Sequence, residues 1–370
     1  MPTGCAPQSH VVREASARAK IRVDSRFTST RLRGVKISWT PFARFSLSAL
    51  AIGVFTAGCS TTANDASASD AGGAARDASS PDGSDPSDAS GPGPWSPDAT
   101  NADAAAIVAA RPYHLHVPPK YDPAQPTPLV VLFHGYGATG DGEELYFGIN
   151  ETSDAETFLY AYSDGTLDSK SKRFWNATDA CCDNEHIPVD DVAYFNAIVD
   201  DVSATHHVDS KRIFVLGHSN GGFMAHRLAC DLSPRVAAIV SLAGAVWNDP
   251  ARCQPVTPVA ILEVHGDADQ TILYDGGTSS SGSPYPSAHT TVATWAQKNG
   301  CTGALAATGE TRDLDTDLVG AETKVERYGS CPAGVDVELW TIQGGAHIPQ
   351  LATPTWGNAV WSFMRAHPKP

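Results

Sequence analysis

Apolar residues fall along the second half of this chain in two alternating rhythms. Pro128-Leu-Val-Val-Leu-Phe133 is a continuous apolar run, as expected of a central parallel strand covered on both faces. Ile213–Leu216, Val236–Leu242 and Val259–Val264 read as further buried strands, Phe158–Tyr162 as another, and Val335–Ile342 as a late one. Tyr113–Val117 alternates and reads as an edge strand. Between these runs the period changes. Val192, Phe195, Ile198, Val199 and Val202 recur at helical spacing within Val189–Val202, with acidic residues on the other face. Gly222–Ala229, His289–Lys298 and Asn358–Arg365 read as three more helices. Strand and helix in alternation predict an α/β fold: an open, mostly parallel central sheet with helices on both faces. In such sheets the working residues gather at the carboxyl ends of the strands.

The first part of the chain lacks this rhythm. Residues 60–108 are Ala, Ser, Asp, Gly and Pro almost throughout, with Trp95 the single aromatic. Such a segment cannot bury enough apolar surface to offset its ordering entropy, so it reads as a disordered linker. Before it, Phe45–Gly58 is apolar and small, too short to span a bilayer and suited to the core of a signal peptide. It ends in Thr56-Ala57-Gly58-Cys59-Ser60, small residues ahead of a cysteine as in a bacterial lipobox, with Thr56 where Leu is usual. Cys59 is the expected lipidation site, free secretion and a retained anchor being the alternatives. Residues 1–44 are long for a leader, which raises a start internal to the printed chain, near Val35. The expected organisation is an extension and signal peptide over 1–59, a linker over 60–108, and a globular domain over 109–370.

Charge sharpens this division. The chain of 370 residues carries a formal −15, but residues 1–44 are basic, so the remainder is strongly acidic. An acidic surface repels nucleic acid and anionic membranes, and neither is expected as a partner of the folded part. Six of the eight cysteines (Cys181, Cys182, Cys230, Cys253, Cys301 and Cys331) lie in that part, which fits disulfides in an oxidising compartment. There is no Cys-x-x-Cys pair, and no metal site is expected.

Candidate chemistry sits at three strand ends. Gly217-His218-Ser219-Asn220-Gly221 stands between an apolar strand and a helix, the context of a nucleophile elbow. Glycine at 217 and 221 removes Cβ atoms that such a turn would crowd. His265-Gly266-Asp267-Ala268-Asp269 follows the strand ending at Val264, and Gly344-Gly345-Ala346-His347 follows the strand ending near Ile342. A serine nucleophile needs a base and an acid that orients it. The chain order Ser, Asp, His selects Ser219 and His347, with Asp267 and Asp269 equally placed as acid. His134-Gly135-Tyr136-Gly137 ends the Pro128–Phe133 strand, and the N–H groups of Tyr136 and Asn220 are the expected oxyanion donors. No Gly-Lys-Ser/Thr follows the glycines, which argues against a nucleotide loop.

These motifs, together with Val189-Asp190-Asp191-Val192 and Asn299-Gly300-Cys301, resemble the secreted polyhydroxybutyrate depolymerase and feruloyl esterase family of α/β-hydrolases. The resemblance implies that Asp269, fifth in the His-Gly-x-x-Asp element, is the acid. It also implies the disulfides Cys230–Cys253 and Cys301–Cys331, each contributing ~3 kcal/mol in the chain-entropy model. Cys181 and Cys182 stay unassigned, as a vicinal bridge or as thiols. The family has Trp-Pro after the catalytic histidine where this chain has Ile348-Pro349, which leaves the acyl subsite open. Tyr136, Trp175 and Tyr274 are the candidates to line it.

The implied activity is hydrolysis of carboxylic esters through an acyl-enzyme, without a cofactor, on a substrate such as a polyester or feruloylated polysaccharide. Acetylxylan or other short-chain esters form the alternative substrate class, and an amidase is the nearest alternative enzyme. A binding module that keeps the fold without catalysis is the non-enzymatic reading.

Overall fold

The computed structural model describes residues 101–370. The signal-peptide reading, the Cys59 lipidation site and residues 60–100 of the linker lie outside the described residues.

Along the chain come α1 (Asn101–Ala110), β1 (Tyr113–His116), β2 (Thr127–Phe133), α2 (Gly140–Phe147), α3 (Ile149–Glu156) and β3 (Leu159–Ser163). A short hairpin, β4 (Thr166–Leu167) and β5 (Arg173–Phe174), precedes α4 (Asp191–Thr205), β6 (Val208–His218), α5 (Asn220–Asp231), β7 (Ala238–Leu242) and β8 (Ala260–Gly266). A second hairpin, β9 (Gly277–Thr278) and β10 (Pro284–Tyr285), leads to α6 (Ala288–Lys298), β11 (Leu305–Arg312), β12 (Thr323–Tyr328), β13 (Val337–Ile342) and α7 (Thr355–Ala366).

Nine strands form one sheet in the order β1-β3-β2-β6-β7-β8-β13-β12-β11. The six strands from β3 to β13 run parallel, with antiparallel β1 at one edge and antiparallel β12 and β11 at the other. Strand β2 shows why the pattern folds this way. Side chains alternate across a strand, so its unbroken apolar run supplies both faces. Leu129, Val131 and Phe133 enter one core with Phe195 and Ile198 of α4, Phe223 of α5 and Trp295 of α6. Val130 and Leu132 enter the other with Phe147 of α2 and Trp356, Val360 and Met364 of α7. Each such side chain, fully buried, contributes about 1.5–3 kcal/mol.

The fold departs from the sequence expectation in several places. Residues 101–108, read as the end of the linker, belong to α1. The run Ala104-Ala105-Ala106 favours a helix, Ala104 is buried, and Ile107 and Val108 pack against the core that holds α4. Helices α2 and α3 were not expected, because Gly140 and Gly142 mask the helical signal of the first and the second is a short, almost wholly polar run with Ile149 its one large apolar residue. Helix α2 is nonetheless capped by Thr139, whose hydroxyl accepts the Gly142 N–H at 3.1 Å. Strand β11 is exposed along most of its length, so it carries no apolar alternation to read.

Cys230 is bonded to Cys253 and Cys301 to Cys331, as the resemblance implied, and Cys181 is bonded to Cys182.

Candidate active site

Strand β6 delivers Ser219 to a sharp turn with φ 54° and ψ −118°, a region that non-glycine residues avoid. The turn leaves no room for side chains on either side. A Cβ at Gly217 would stand 2.1 Å from the Gly221 carbonyl oxygen, and one at Gly221 would stand 1.9 Å from that of Phe133. The Ser219 N–H donates to Leu242 O at 2.7 Å, which ties the turn to β7.

The loop after β13 brings His347 over the serine. His347 Nε2 is 2.9 Å from Ser219 Oγ, and its Nδ1 is 2.7 Å from Asp269 Oδ2. Asp269 is buried in the turn after β8, where the N–H groups of Thr271 and Ile272 donate to its Oδ1 at 2.7 and 3.0 Å. That leaves Oδ2 for the imidazole. Asp267 does something else: its exposed carboxylate accepts the Gly344 N–H at 2.6 Å and so braces the turn that carries His347. The two aspartates, equivalent by position, are separated by the turn they build.

Burial disfavours the charged form of Asp269, but contacts with His265 and His347 outweigh it and hold the carboxyl well below its usual range. Burial also pulls His347 below the ordinary imidazole value, partly offset by its bond to Asp269. His347 is therefore neutral at neutral pH, the form that a proton acceptor needs.

The loop His134–Gly137 lies on the other side of the serine, where the position of a Gly135 Cβ would be 3.5 Å from Ser219 Cβ. Among the described residues no acceptor takes the backbone N–H of Tyr136 or of Asn220. Asn220 is fixed by its side chain, which accepts the Trp175 N–H at 2.7 Å and donates to Trp175 O at 3.0 Å. The Tyr136 phenol donates to Asp168 at 2.5 Å, and this bond raises it to about 12. Its ring remains 37% exposed beside the loop, and Ile348, next to His347, is 64% exposed.

The substrate-lining candidates fare differently. Trp175 is fully buried, with its indole N–H donating to His134 O at 3.0 Å, and it packs edge-on against Phe133. It is therefore a core side chain that supports the loop rather than a wall of the site, since its large ring is better buried than left at a rim. Tyr274 is half-buried, bonds Thr341 Oγ1 at 2.7 Å and packs edge-on against His265 and His289. Its contacts lie behind the acid.

Sequence reasoning missed a second set of residues around the triad. His218 Nε2 is 3.0 Å from His347 O and its Nδ1 is 3.1 Å from Glu143 Oε1. Glu143 Oε2 accepts the Gly135 N–H at 3.0 Å. Burial opposes charge on His218, but Glu143 outweighs it and raises the imidazole above its ordinary value. One buried pair thus joins the elbow, the His347 loop and the Gly135 loop. Behind Asp269 stand His265, Glu263 and His226, all buried. Glu263, a charge within the apolar run Val259–Val264, was the visible signal for them.

The sheet order and a serine on the turn between β6 and α5 define the class: this is an α/β-hydrolase. A family model described as phospholipase/carboxylesterase matches residues 114–282. The protein NocK of Nocardia uniformis subsp. tsuyamanensis, named as an esterase, is 33% identical over 183 residues, 48% of this chain and 52% of that protein. Feruloyl esterase B of Piromyces equi is 27% identical over 64% of this chain and 42% of its own length. Feruloyl esterase D of Neurospora crassa is 27% identical over 66% of this chain and 76% of its own. The chain is thus similar to α/β-hydrolase carboxylesterases, feruloyl esterases among them. It spans about half the length of the first two relatives.

Proposed function

We propose that this chain is an exported serine carboxylesterase of the feruloyl esterase type. The observation that carries the reading is the hydrogen-bonded line Ser219–His347–Asp269. His347 Nε2 takes the Ser219 proton as Oγ attacks the ester carbonyl carbon. The resulting oxyanion is held by the N–H groups of Tyr136 and Asn220, which have no acceptor among the described residues. The imidazolium, stabilised by Asp269, gives its proton to the departing alcohol as the C–O bond breaks. Water then loses a proton to His347 and attacks the acyl-enzyme carbonyl, and the acid leaves as Ser219 regains its proton.

Kinship with feruloyl esterases supports an aromatic acyl group, and the exposed Tyr136 ring and Ile348 side chain suit its apolar part. The test is turnover of p-nitrophenyl butyrate, methyl ferulate and hydroxybutyrate oligomers by the chain and by Ser219→Ala. Loss of all ester turnover in the variant is expected, with methyl ferulate preferred by the parent. Undiminished turnover in Ser219→Ala would overturn the mechanism, and a preference for hydroxybutyrate would transfer the assignment to polyester depolymerisation. Export is supported by three disulfides and by the apolar stretch before Cys59. A mature protein beginning at a lipid-modified Cys59, read by mass spectrometry, is the expected form.

A further inference from the structure

A buried line of polar side chains continues past the triad. His265 Nε2 lies 2.8 Å from Ile272 O and 3.3 Å from Asp269 Oδ2, and its Nδ1 lies 3.3 Å from Glu263 Oε1. The other oxygen of Glu263 is 3.0 Å from His226 Nε2, and the Trp295 indole N–H donates to His226 Nδ1 at 2.9 Å. Glu263 and His226 are fully buried and His265 almost so.

Hydrogen-bond chemistry fixes the charges. An indole N–H can only donate, so His226 Nδ1 carries no proton and the ring is neutral, with its Nε2–H directed at Glu263. Among the described residues His265 meets only oxygen acceptors at both nitrogens, a carbonyl and two carboxylates. Both nitrogens must therefore donate, and the ring is an imidazolium. A carboxylate as deeply buried as Glu263 requires such a counter-charge.

We propose that Glu263 and His265 form an internal ion pair that positions Asp269 and biases His347 toward its free base. The proposal rests on the esterase reading of Ser219, His347 and Asp269. Both members are positioning residues, since neither reaches the serine. The cationic member is the nearer to His347, with only Asp269 between them, so the pair opposes protonation of the base while keeping the acid ionised. The remaining groups facing His265 do not cancel this: Tyr274 presents a ring edge held by Thr341, His289 lies beyond Tyr274, and His226 is neutral. The raised affinity of His265 for its proton, to about 9, agrees with the charge that the geometry requires.

The test replaces both members by amides that keep donors and acceptors, Glu263→Gln with His265→Gln. The protonation of His347 is followed by histidine 15N NMR against pH, beside kcat/KM for p-nitrophenyl butyrate. The variant is expected to show His347 titrating about one unit higher, with the acid limb of kcat/KM moving equally and KM little changed. A folded variant whose His347 titration does not move overturns the proposal, because packing alone would lower kcat at every pH. Should the variant not fold, the parent decides: His265 protonated on both nitrogens at pH 7 supports the pair, and a neutral His265 overturns it. An inactive parent with these NMR signatures would instead sink the esterase reading.

Discussion

Replacing Asp269 by Asn separates electrostatics from shape at the acid. The amide is isosteric, and its orientation is dictated by its neighbours. Two backbone N–H groups, of Thr271 and Ile272, point at Oδ1 and require an acceptor there. The Nδ2 group must then occupy the Oδ2 position, 2.7 Å from His347 Nδ1 and 3.3 Å from His265 Nε2. Facing a donor, His347 Nδ1 becomes an acceptor, and its proton moves to Nε2, directed at Ser219. The base is then in the wrong tautomer to take the serine proton. The expected loss is on the order of 10⁴-fold in kcat, about 5.5 kcal/mol of transition-state stabilisation. Asp267→Asn is the control. Its Oδ1 would still accept the Gly344 N–H, so kcat should stay within about threefold of the parent, the size of an ordinary surface substitution. Steady-state kinetics on p-nitrophenyl butyrate, with thermal melts to establish folding, measure both. An Asp269→Asn enzyme within tenfold of the parent, or one more active than Asp267→Asn, would refute the assignment of the acid.

Other perturbations test the supports of the site. Glu143→Gln weakens the pair with His218 that joins the Gly135 and His347 loops, so kcat should fall about tenfold with KM little changed. A change confined to KM would remove Glu143 from this role. Gly221→Ala drives a Cβ to within 1.9 Å of the Phe133 carbonyl, and loss of soluble protein or at least ~3 kcal/mol of stability is expected, read by urea unfolding. The pairing of His265, whose proton affinity rises from 6.5 to about 9 on folding, stabilises the fold fully below pH 6.5 and is lost as pH rises through about 9. The Tm difference between the parent and the Glu263→Gln/His265→Gln variant should therefore decline across that window, and a constant difference would contradict it.

Parts of the site were legible because their signals are local. A nucleophile elbow needs strand, Gly-x-Ser-x-Gly and helix in one short stretch, and the covered parallel strand β2 reads as an unbroken apolar run. His347 followed from chain order as the candidate base. The acid did not, because Asp267 and Asp269 differ only in what their turn bonds: Gly344 for one, Thr271 and Ile272 for the other. Trp175 was misjudged for a related reason. The short stretch Phe174–Asn176 does not say which way it faces, and the partners that bury it, Phe133, Tyr194 and the Asn220 amide, come from β2, α4 and α5.

Most of the residues that escaped the sequence reading share one physical property: they are buried polar groups with a partner on a distant element. His226 meets Glu263 across 37 residues and Trp295 across 69. His218 meets the His347 carbonyl across 129. Buried polar groups left unpaired cost about 1–3 kcal/mol each, so a fold keeps them only where tertiary structure supplies the partner. A charge inside an apolar strand, as at Glu263, therefore signals that such a partner exists without saying where. The parallel sheet explains why these partners converge on the site. It sets the ends of β2, β6, β8 and β13 side by side, so the loops of Gly135, Ser219, Asp269 and His347 all need fixing at one edge. Glu143 with His218 fixes the first and last of these against the elbow, and Glu263 with His265 fixes the acid from below. The serine turn, strained at φ 54°, is held between them and by its own bond to Leu242.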